Sequence, residues 1–281
     1  MKLPPFEYAA PATLGEALAL LSSRPGSKAL AGGQSLIPTM AFRLATPPLL
    51  VDLRKLKGLA EISVSPKGVV LGGLVRWRDI QRHAELKEAH PLLVAAIGHV
   101  AHYQIRNRGT VGGSLAHADP AAELPGVAVT CDAELRVKGP HGERVIPAKD
   151  FFTGALSTVL ADDELIVALH LPPWPATRRW GFEELSPRRG DFAYAGVAAF
   201  YDVDGGGRAN NVHVGVIGAC QRPHRIREAE RALEGRAVDA AAIRDACAAA
   251  EQALDPPSDL HAGAAYRRAL VGALLEKILA R

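Results

Sequence analysis

Two glycine pairs, each at a junction where an apolar strand-like segment leads into a helical one, constrain this chain most strongly. The first lies in residues 31–35 (AGGQS) and the second in residues 110–114 (TVGGS). Because glycine reaches positive φ and has no side chain, consecutive backbone amides in such a turn can converge on an anion. Each pair alone would also suit a plain tight turn. Two such turns, each followed by a serine, favour a site that holds a diphosphate from both sides.

The surroundings of these turns argue against phosphoryl transfer. Neither turn has the lysine of a Walker loop, and neither has the G-x-x-x-x-G-K-[ST] or G-x-G-x-x-G spacing. No carboxylate cluster for Mg²⁺ accompanies them. The phosphates would therefore serve as a handle on a molecule that carries its own reactivity, and a dinucleotide such as NAD or FAD has that character.

Composition excludes several other classes of protein. The chain has 281 residues, 48% hydrophobic and 22% charged, which is typical of a folded globular protein of about two domains. Its 33 basic and 30 acidic side chains give a net charge of +3 without a basic stripe, which disfavours nucleic-acid binding. The three cysteines form no C-x-x-C motif, so we expect neither a zinc site nor an iron–sulfur cluster. The first residues lack a signal-peptide pattern and no apolar stretch could span a bilayer, so we expect a cytoplasmic protein.

Local patterns predict mixed helices and strands. Thr13 and Glu16 form a capping-box signature ahead of a helix over 14–22. A hairpin is expected around the turn at 204–207 (DGGG), and alanine-rich helices follow from Pro223. The remaining predictions are helices over 36–43 and 92–102, and strands over 28–31, 49–53, 62–64, 69–71, 127–130, 134–137, 166–171, 195–203 and 212–219.

A proline-rich segment, residues 172–175 (PPWP), is the best linker candidate, because proline cannot continue a central strand or helix. We therefore expect a first domain over 1–175, divided near residue 57 into two subdomains, and a second domain over 176–281.

Three motifs together resemble one family. Residues 31–38 (AGGQSLIP), 104–123 (QIRNRGTVGGSLAHADPAAE) and 189–193 (RGDFA) closely resemble the FAD-binding, or medium, subunit of the xanthine dehydrogenase and carbon monoxide dehydrogenase family of molybdenum hydroxylases. The resemblance implies an α+β fold: a two-subdomain FAD-binding domain of the vanillyl-alcohol-oxidase-like (PCMH) type, then a C-terminal α+β domain with a three-stranded sheet and helices.

The resemblance also implies the residues that bind a noncovalent FAD. The two glycine segments would bind the diphosphate, and Glu123 would accept hydrogen bonds from FAD hydroxyls unless it is a solvated loop carboxylate. Ile166 would lie against the flavin or serve as plain core, and Phe192, next to Asp191, would approach the flavin edge or pack as core. The implied set is Ala31, Gly32, Gly33, Gln34, Ser35, Thr110, Gly112, Gly113, Ser114, Glu123, Ile166, Asp191 and Phe192.

Two positions depart from the family pattern. Gln34 stands where some relatives have histidine, so a covalent histidyl flavin at this position is excluded. Glu184 stands where several relatives have lysine near the FAD, which changes the contact expected there.

The resemblance implies an electron-transfer subunit with no catalytic residue and no metal of its own. A small [2Fe–2S] subunit would supply electrons, a large molybdopterin subunit would oxidise the substrate, and an external acceptor would receive the electrons. The substrate and the acceptor stay open at this point. Two alternatives are a self-sufficient flavin-dependent oxidase or reductase of the wider fold, which would need an acid–base pair over the flavin, and a dinucleotide sensor without turnover.

Overall fold

The computed structural model describes residues 2–281 and contains three sheet-based units. The first is a small parallel sheet in the order β1-β3-β2 with two helices. Thr13 Oγ1 accepts from the Glu16 amide at 3.2 Å and Glu16 Oε2 accepts from the Thr13 amide at 3.3 Å, so the predicted capping box is confirmed. The elements are β1 (Glu7–Ala9), α1 (Leu14–Ser23), β2 (Lys28–Leu30), α2 (Leu36–Ala41) and β3 (Leu49–Asp52).

The second unit is a five-stranded antiparallel sheet in the order β4-β5-β10-β6-β7, covered by helices and flanked by a small hairpin. Its strands are β4 (Ile62–Ser65), β5 (Gly68–Gly72), β6 (Glu134–Gly139), β7 (Gly142–Pro147) and β10 (Leu165–Leu171), with the hairpin β8 (Phe152–Gly154) and β9 (Ser157–Thr158). Its helices are α3 (Trp77–Arg82), α4 (Leu86–Ala89), α5 (Pro91–Ile97), α6 (Tyr103–Arg106), α7 (Val111–His117), α8 (Glu123–Thr130) and α9 (Ala148–Phe151).

The third unit is an antiparallel sheet with three long strands, as the family resemblance implies, and a fourth strand of two residues at its edge. Alanine-rich helices cover one face and share an apolar core with it. The strands are β11 (Arg179–Leu185), β12 (Ala195–Val203), β13 (Ala209–Ile217) and β14 (His224–Arg225), and the helices are α10 (Arg227–Leu233), α11 (Ala240–Ala253) and α12 (Ala264–Leu279).

Helix α8 joins the second unit to the third. It packs against β12 and β13, and the main core contains residues of both units, including Leu124 and Ile217. Glycines permit this contact: a Cβ on Gly126 would overlap the side chain of Ile217, and a Cβ on Gly215 would overlap Thr130 Oγ1. The α8 helix is therefore held directly on the C-terminal sheet.

Two of the predicted elements are wrong or too long, and one long strand was not predicted. Residues 127–130 are not a strand but the end of α8, because an apolar run buried on every side carries no period that distinguishes helix from strand. The helix expected over 92–102 ends at Ile97, and Ala101 has φ of 40°. Strand β11 was not predicted at all, since its sequence RWGFEEL mixes polar and apolar residues without clear alternation.

No helix within residues 2–281 is long and apolar enough to cross a membrane.

The contact between α8 and the C-terminal sheet can be tested with one added methyl group. Gly215→Ala is expected to lower the free energy of unfolding by about 1–3 kcal/mol, because the new Cβ would overlap Thr130 Oγ1. Gly205→Ala is the control, since a Cβ there meets nothing within 4 Å. Urea unfolding of both variants measures the difference, and equal stabilities would contradict the packing described.

Candidate cofactor site

The first glycine segment presents a row of free backbone amides. Within residues 2–281 the amides of Gly32, Gly33, Gln34 and Ser35 donate to no protein acceptor. Gly33 has φ of 73°, and Gln34 Nε2 donates to the Gly32 carbonyl oxygen at 3.0 Å, which fixes the shape of the loop. Consecutive free amides in a loop with one left-handed residue suit an anion such as a diphosphate.

The second glycine segment is built differently. Gly112 and Gly113 do not form a turn but lie in the first turn of α7, whose N-cap is Thr110. Their amides are already used: Gly112 donates to the Gly73 carbonyl oxygen at 2.8 Å, and Gly113 donates to Thr110 Oγ1 at 3.2 Å. The Ser114 amide donates to the Thr110 carbonyl oxygen at 3.0 Å. The expectation that these amides grip a phosphate is therefore not met by the geometry of this segment.

The glycines of the second segment instead let backbones approach one another. A Cβ on Gly112 would lie 2.8 Å from the Gly73 carbonyl oxygen, and a Cβ on Gly113 would lie 3.9 Å from the Ala31 Cβ. A Cβ on Gly32 would overlap the Arg108 carbonyl oxygen. The structure thus brings the two predicted segments side by side, with the half-buried Ser114 on the second one.

Strand β10 passes directly beside this contact. The Gly73 amide donates to the Val167 carbonyl oxygen at 2.9 Å, and the pairing of β10 with β6 shifts between Ile166 and Ala168. Such a bulge redirects a strand where a site requires it. Ile166 is 7% exposed and belongs to the main core, and a Cβ on Gly73 would overlap the Ile166 carbonyl oxygen.

Glu123 begins α8 and lies in a negative, largely buried environment. Burial, together with the neighbouring carboxylates of Glu184 and Asp119, raises the pKa of Glu123 to about 8. The Glu184 side chain is 3% exposed; its Oε1 lies 3.3 Å from His99 Nδ1, and its Oε2 has no hydrogen-bond partner among the described residues. Glu123 is half-buried and is the first residue of a helix rather than part of a loop.

The segment carrying Asp191 and Phe192 lies over the loop between α5 and α6. Gly190 has φ of 92°, and a Cβ on it would lie 2.6 Å from the Ala101 carbonyl oxygen. Asp191 Oδ2 accepts from Arg188 Nε at 3.0 Å. The Phe192 ring is 69% exposed, so the interpretation of Phe192 as core packing is wrong.

One residue of this region was missed by the sequence-based reasoning. His99 has no motif around it, and it comes to Glu184 only because α5 packs against β11. No local sequence signal indicates that pairing.

Elsewhere, a cavity of about 300 Å³ lies in the C-terminal unit. It is lined by Arg225 and Glu230, whose Nε and Oε1 atoms are 2.6 Å apart. Because these two charges are paired with each other, they are not free to bind a ligand. The glycine segments, with their free amides, are therefore the stronger candidate for a binding site.

Comparison with known proteins identifies the class. Residues 4–174 match the family model described as the FAD binding domain in molybdopterin dehydrogenase, and residues 180–281 match the CO dehydrogenase flavoprotein C-terminal domain. The chain belongs to this family of FAD-binding subunits of the xanthine dehydrogenase and CO dehydrogenase type. Its members are oxidoreductase subunits that act within multi-subunit complexes and carry FAD.

Particular relatives match over nearly their whole length. The 6-hydroxypseudooxynicotine dehydrogenase complex subunit alpha of Paenarthrobacter nicotinovorans is 37% identical, covering 100% of this chain and 95% of the relative. The carbon monoxide dehydrogenase medium chain of Hydrogenophaga pseudoflava is 32% identical, covering 98% and 96%.

Solved structures agree closely with the fold. A carbon monoxide dehydrogenase structure from Hydrogenophaga pseudoflava superposes with a TM-score of 0.96 at 34% identity, covering 100% of this chain and 98% of that one. Quinoline 2-oxidoreductase from Pseudomonas putida 86 gives 0.95 at 36% identity, covering 100% and 97%.

The residues present fit FAD. The free amides of the first segment suit its diphosphate, Glu184 Oε2 is a buried acceptor without a partner among residues 2–281, and Phe192 offers an exposed aromatic face. FAD contains the anionic, hydroxyl-bearing and aromatic parts that these groups would contact.

The first glycine segment can be tested with a matched pair of variants. Gly33→Asp and Gly33→Asn have the same shape, and both residue types tolerate positive φ, so backbone strain is shared. The aspartate adds a negative charge beside the free amides and is expected to weaken FAD binding by about tenfold or more relative to the asparagine. Flavin content per chain and FAD titration measure the effect, and equal affinities of the two variants would remove the diphosphate from this loop.

Proposed function

We propose that this chain is the electron-transfer subunit of a molybdenum hydroxylase complex. It would take electrons from the [2Fe–2S] clusters of a small partner subunit, while a large molybdopterin subunit oxidises the substrate, and it would pass them to an external acceptor. When bound, FAD supplies the ability to accept two electrons and release them again. The observation that carries the proposal is the match of the whole chain, in both sequence and fold, to subunits of such complexes.

The cysteines of the chain agree with this division of labour. Burial raises the pKa of the Cys131, Cys220 and Cys247 thiols, the second to about 12, and no C-x-x-C motif of the kind that binds clusters joins them. Clusters are accordingly assigned to the partner subunit.

The first glycine segment would hold the diphosphate through its free amides, with the Ser35 and Ser114 hydroxyls as further donors. Thr110 would fix the start of α7, because its Oγ1 accepts a hydrogen bond from the Gly113 amide. Gln34 would shape the first loop and, since it is not histidine, leave the FAD noncovalent.

The remaining site residues would contact the hydroxyl groups and the flavin ring of FAD. Glu123 would accept hydrogen bonds from its hydroxyl groups, and the Ile166 carbonyl would lie against Gly73, which in turn contacts Gly112. Phe192 would cover the reactive edge, on a loop held in shape by Asp191 and Arg188. The fold supports a boundary near residue 176, because β10 ends at Leu171 and β11 begins at Arg179.

The complex itself provides the test. Substrate of the molybdenum subunit is expected to bleach the flavin absorbance of this chain only when the small and large subunits are present. Co-purification from the source organism provides the assembly, and stopped-flow absorbance of the chain with and without partners measures the reduction. Turnover of a substrate by this chain alone, at the rate of the complex, would instead establish a self-sufficient flavoenzyme.

A second prediction concerns the exposed ring. Phe192→Ala is expected to speed reoxidation of the reduced flavin by air several-fold with little loss of FAD, because removal of the ring opens the flavin edge to oxygen. Leu260→Ala is a suitable control, since Leu260 is fully exposed in the C-terminal unit. Flavin absorbance followed after mixing with aerated buffer gives the rate, and an unchanged rate would separate Phe192 from the flavin edge.

A further inference from the structure

A buried arginine of the last helix holds the base of the hairpin loop that carries Phe192. This loop, residues 186–194, joins β11 to β12 and is called the Phe192 loop below. Arg267 of α12 is 4% exposed, and its Nη1 donates to the Tyr194 carbonyl oxygen at 2.6 Å. The Tyr194 amide donates in turn to the Leu185 carbonyl oxygen at 2.8 Å, which closes the loop. The place of the loop thus depends on a side chain from a distant part of the sequence.

The same nitrogen reaches a second segment of the candidate site. Arg267 Nη1 also donates to the Gly218 carbonyl oxygen at 2.8 Å, and the Gly218 amide donates to the Pro120 carbonyl oxygen at 2.9 Å. Pro120 lies in the loop between α7 and α8, shortly before Glu123. One guanidinium therefore connects, through backbone atoms, the loop of Pro120 with the Phe192 loop.

Gly218 makes this arrangement possible. It has φ of 72°, and a Cβ on it would lie 2.7 Å from the Ala193 carbonyl oxygen and 3.0 Å from the Tyr194 carbonyl oxygen. Because it has no side chain, the backbone of Gly218 packs directly against the base of the Phe192 loop. The carbonyl oxygens of Tyr194 and Gly218 are consequently close enough for a single Nη1 to donate to both.

The guanidinium itself is fixed by a carboxylate. Its Nη2 donates to Asp259 Oδ2 at 2.7 Å, and Asp259 Oδ1 accepts from the amides of His261 and Ala262 at 2.8 and 3.0 Å. A guanidinium is planar and its donors keep fixed directions, so anchoring one nitrogen fixes where the other one donates. Hydrogen bonds from a charged donor are also stronger than those between neutral groups. Arg267 therefore holds both carbonyl groups in one geometry.

The other contact of the Phe192 loop is with the second unit. Gly190 packs directly against the Ala101 carbonyl oxygen, since a Cβ on Gly190 would lie 2.6 Å from it. Phe192 lies between this contact and Tyr194, and its ring is 69% exposed, so packing of the ring contributes little to its position. The backbone contacts at Gly190 and at Tyr194 therefore determine where the ring lies.

We propose that Arg267 is a positioning residue for the flavin edge: by holding the base of the Phe192 loop, it keeps the Phe192 ring at that edge and limits the access of oxygen. This inference rests on the proposed contact between Phe192 and FAD. Through it, a side chain of the C-terminal unit influences how the reduced flavin reacts.

Hydrogen exchange of the FAD-loaded full chain tests the hold on the loop. In Arg267→Gln the amides of residues 186–194 are expected to exchange about tenfold faster, because the loop loses a hydrogen bond from a charged donor. Arg267→Lys should restore most of the protection, since an ammonium group can donate to the same two carbonyl oxygens. Arg268→Gln is the matched control, because Arg268 is the next residue on α12 and donates instead to the Leu254 carbonyl oxygen.

Reoxidation of the reduced flavin by air tests the effect on the cofactor. Arg267→Gln is expected to speed it several-fold, in the same direction as Phe192→Ala, whereas Arg268→Gln should leave the rate unchanged. The double variant of Phe192→Ala and Arg267→Gln should react no faster than Phe192→Ala alone, because both changes act through the same ring. A purely structural role of Arg267 would not produce this non-additivity.

Asp259→Asn is a milder variant that keeps Arg267 in place, and it serves if Arg267→Gln does not fold. Its side-chain oxygen can still accept from the amides of His261 and Ala262, but the guanidinium loses its carboxylate partner. Smaller increases in both the exchange rate and the reoxidation rate are therefore expected.

Unchanged exchange of residues 186–194 in Arg267→Gln and in Asp259→Asn would overturn the hold of Arg267 on the loop. If Phe192→Ala speeds reoxidation, then faster exchange with unchanged reoxidation in Arg267→Gln, or additive rates in the double variant, would overturn the positioning role. An unchanged reoxidation rate in Phe192→Ala would instead overturn the contact of Phe192 with the flavin edge, and the exchange rates would still report on the hold.

Discussion

The site depends on direct contact between backbones. Residues 31–35 lie against residues 108–113 without an intervening side chain, because a Cβ on Gly32 would overlap the Arg108 carbonyl oxygen and Gly113 faces the Ala31 Cβ. Gly112 rests on the Gly73 carbonyl in the same way. The first unit, which supplies the free amides, is thereby joined to the second unit, which supplies α7 and β10. Larger residues at these positions would separate the two halves of the site.

The two glycine pairs look alike in sequence and differ in their structural roles. Gly33 takes φ of 73° and leaves a row of amides free, whereas Gly112 and Gly113 are helical and their amides are satisfied within the protein. One pair therefore provides donors, and the other provides the space that allows the donors to come close. Both roles rest on the absence of a side chain, but only the first rests on positive φ.

Sequence reasoning succeeded where local chemistry determines the structure. The capping box of Thr13 and the hairpin around residues 204–207 formed as predicted, and the motifs identified the family correctly. It failed where tertiary packing decides, as in residues 127–130, whose apolar side chains are buried in a helix on all sides. The partnership of His99 with Glu184 likewise depends on the packing of α5 against β11, which no spacing in the sequence encodes.

Helix α8 has its first residue at the site and its last residue against the C-terminal sheet. Thr130 fits over Gly215, and its carbonyl oxygen lies 2.6 Å from His213 Nδ1. The two parts of the chain are thus matched to one another at the level of single atoms, so they are expected to have changed together during evolution. A chimera that combined this N-terminal part with the C-terminal part of a distant relative would need a glycine opposite Thr130 and a small residue opposite Glu184. Without them, the interface would displace α8 and, with it, the carboxyl group at its first turn.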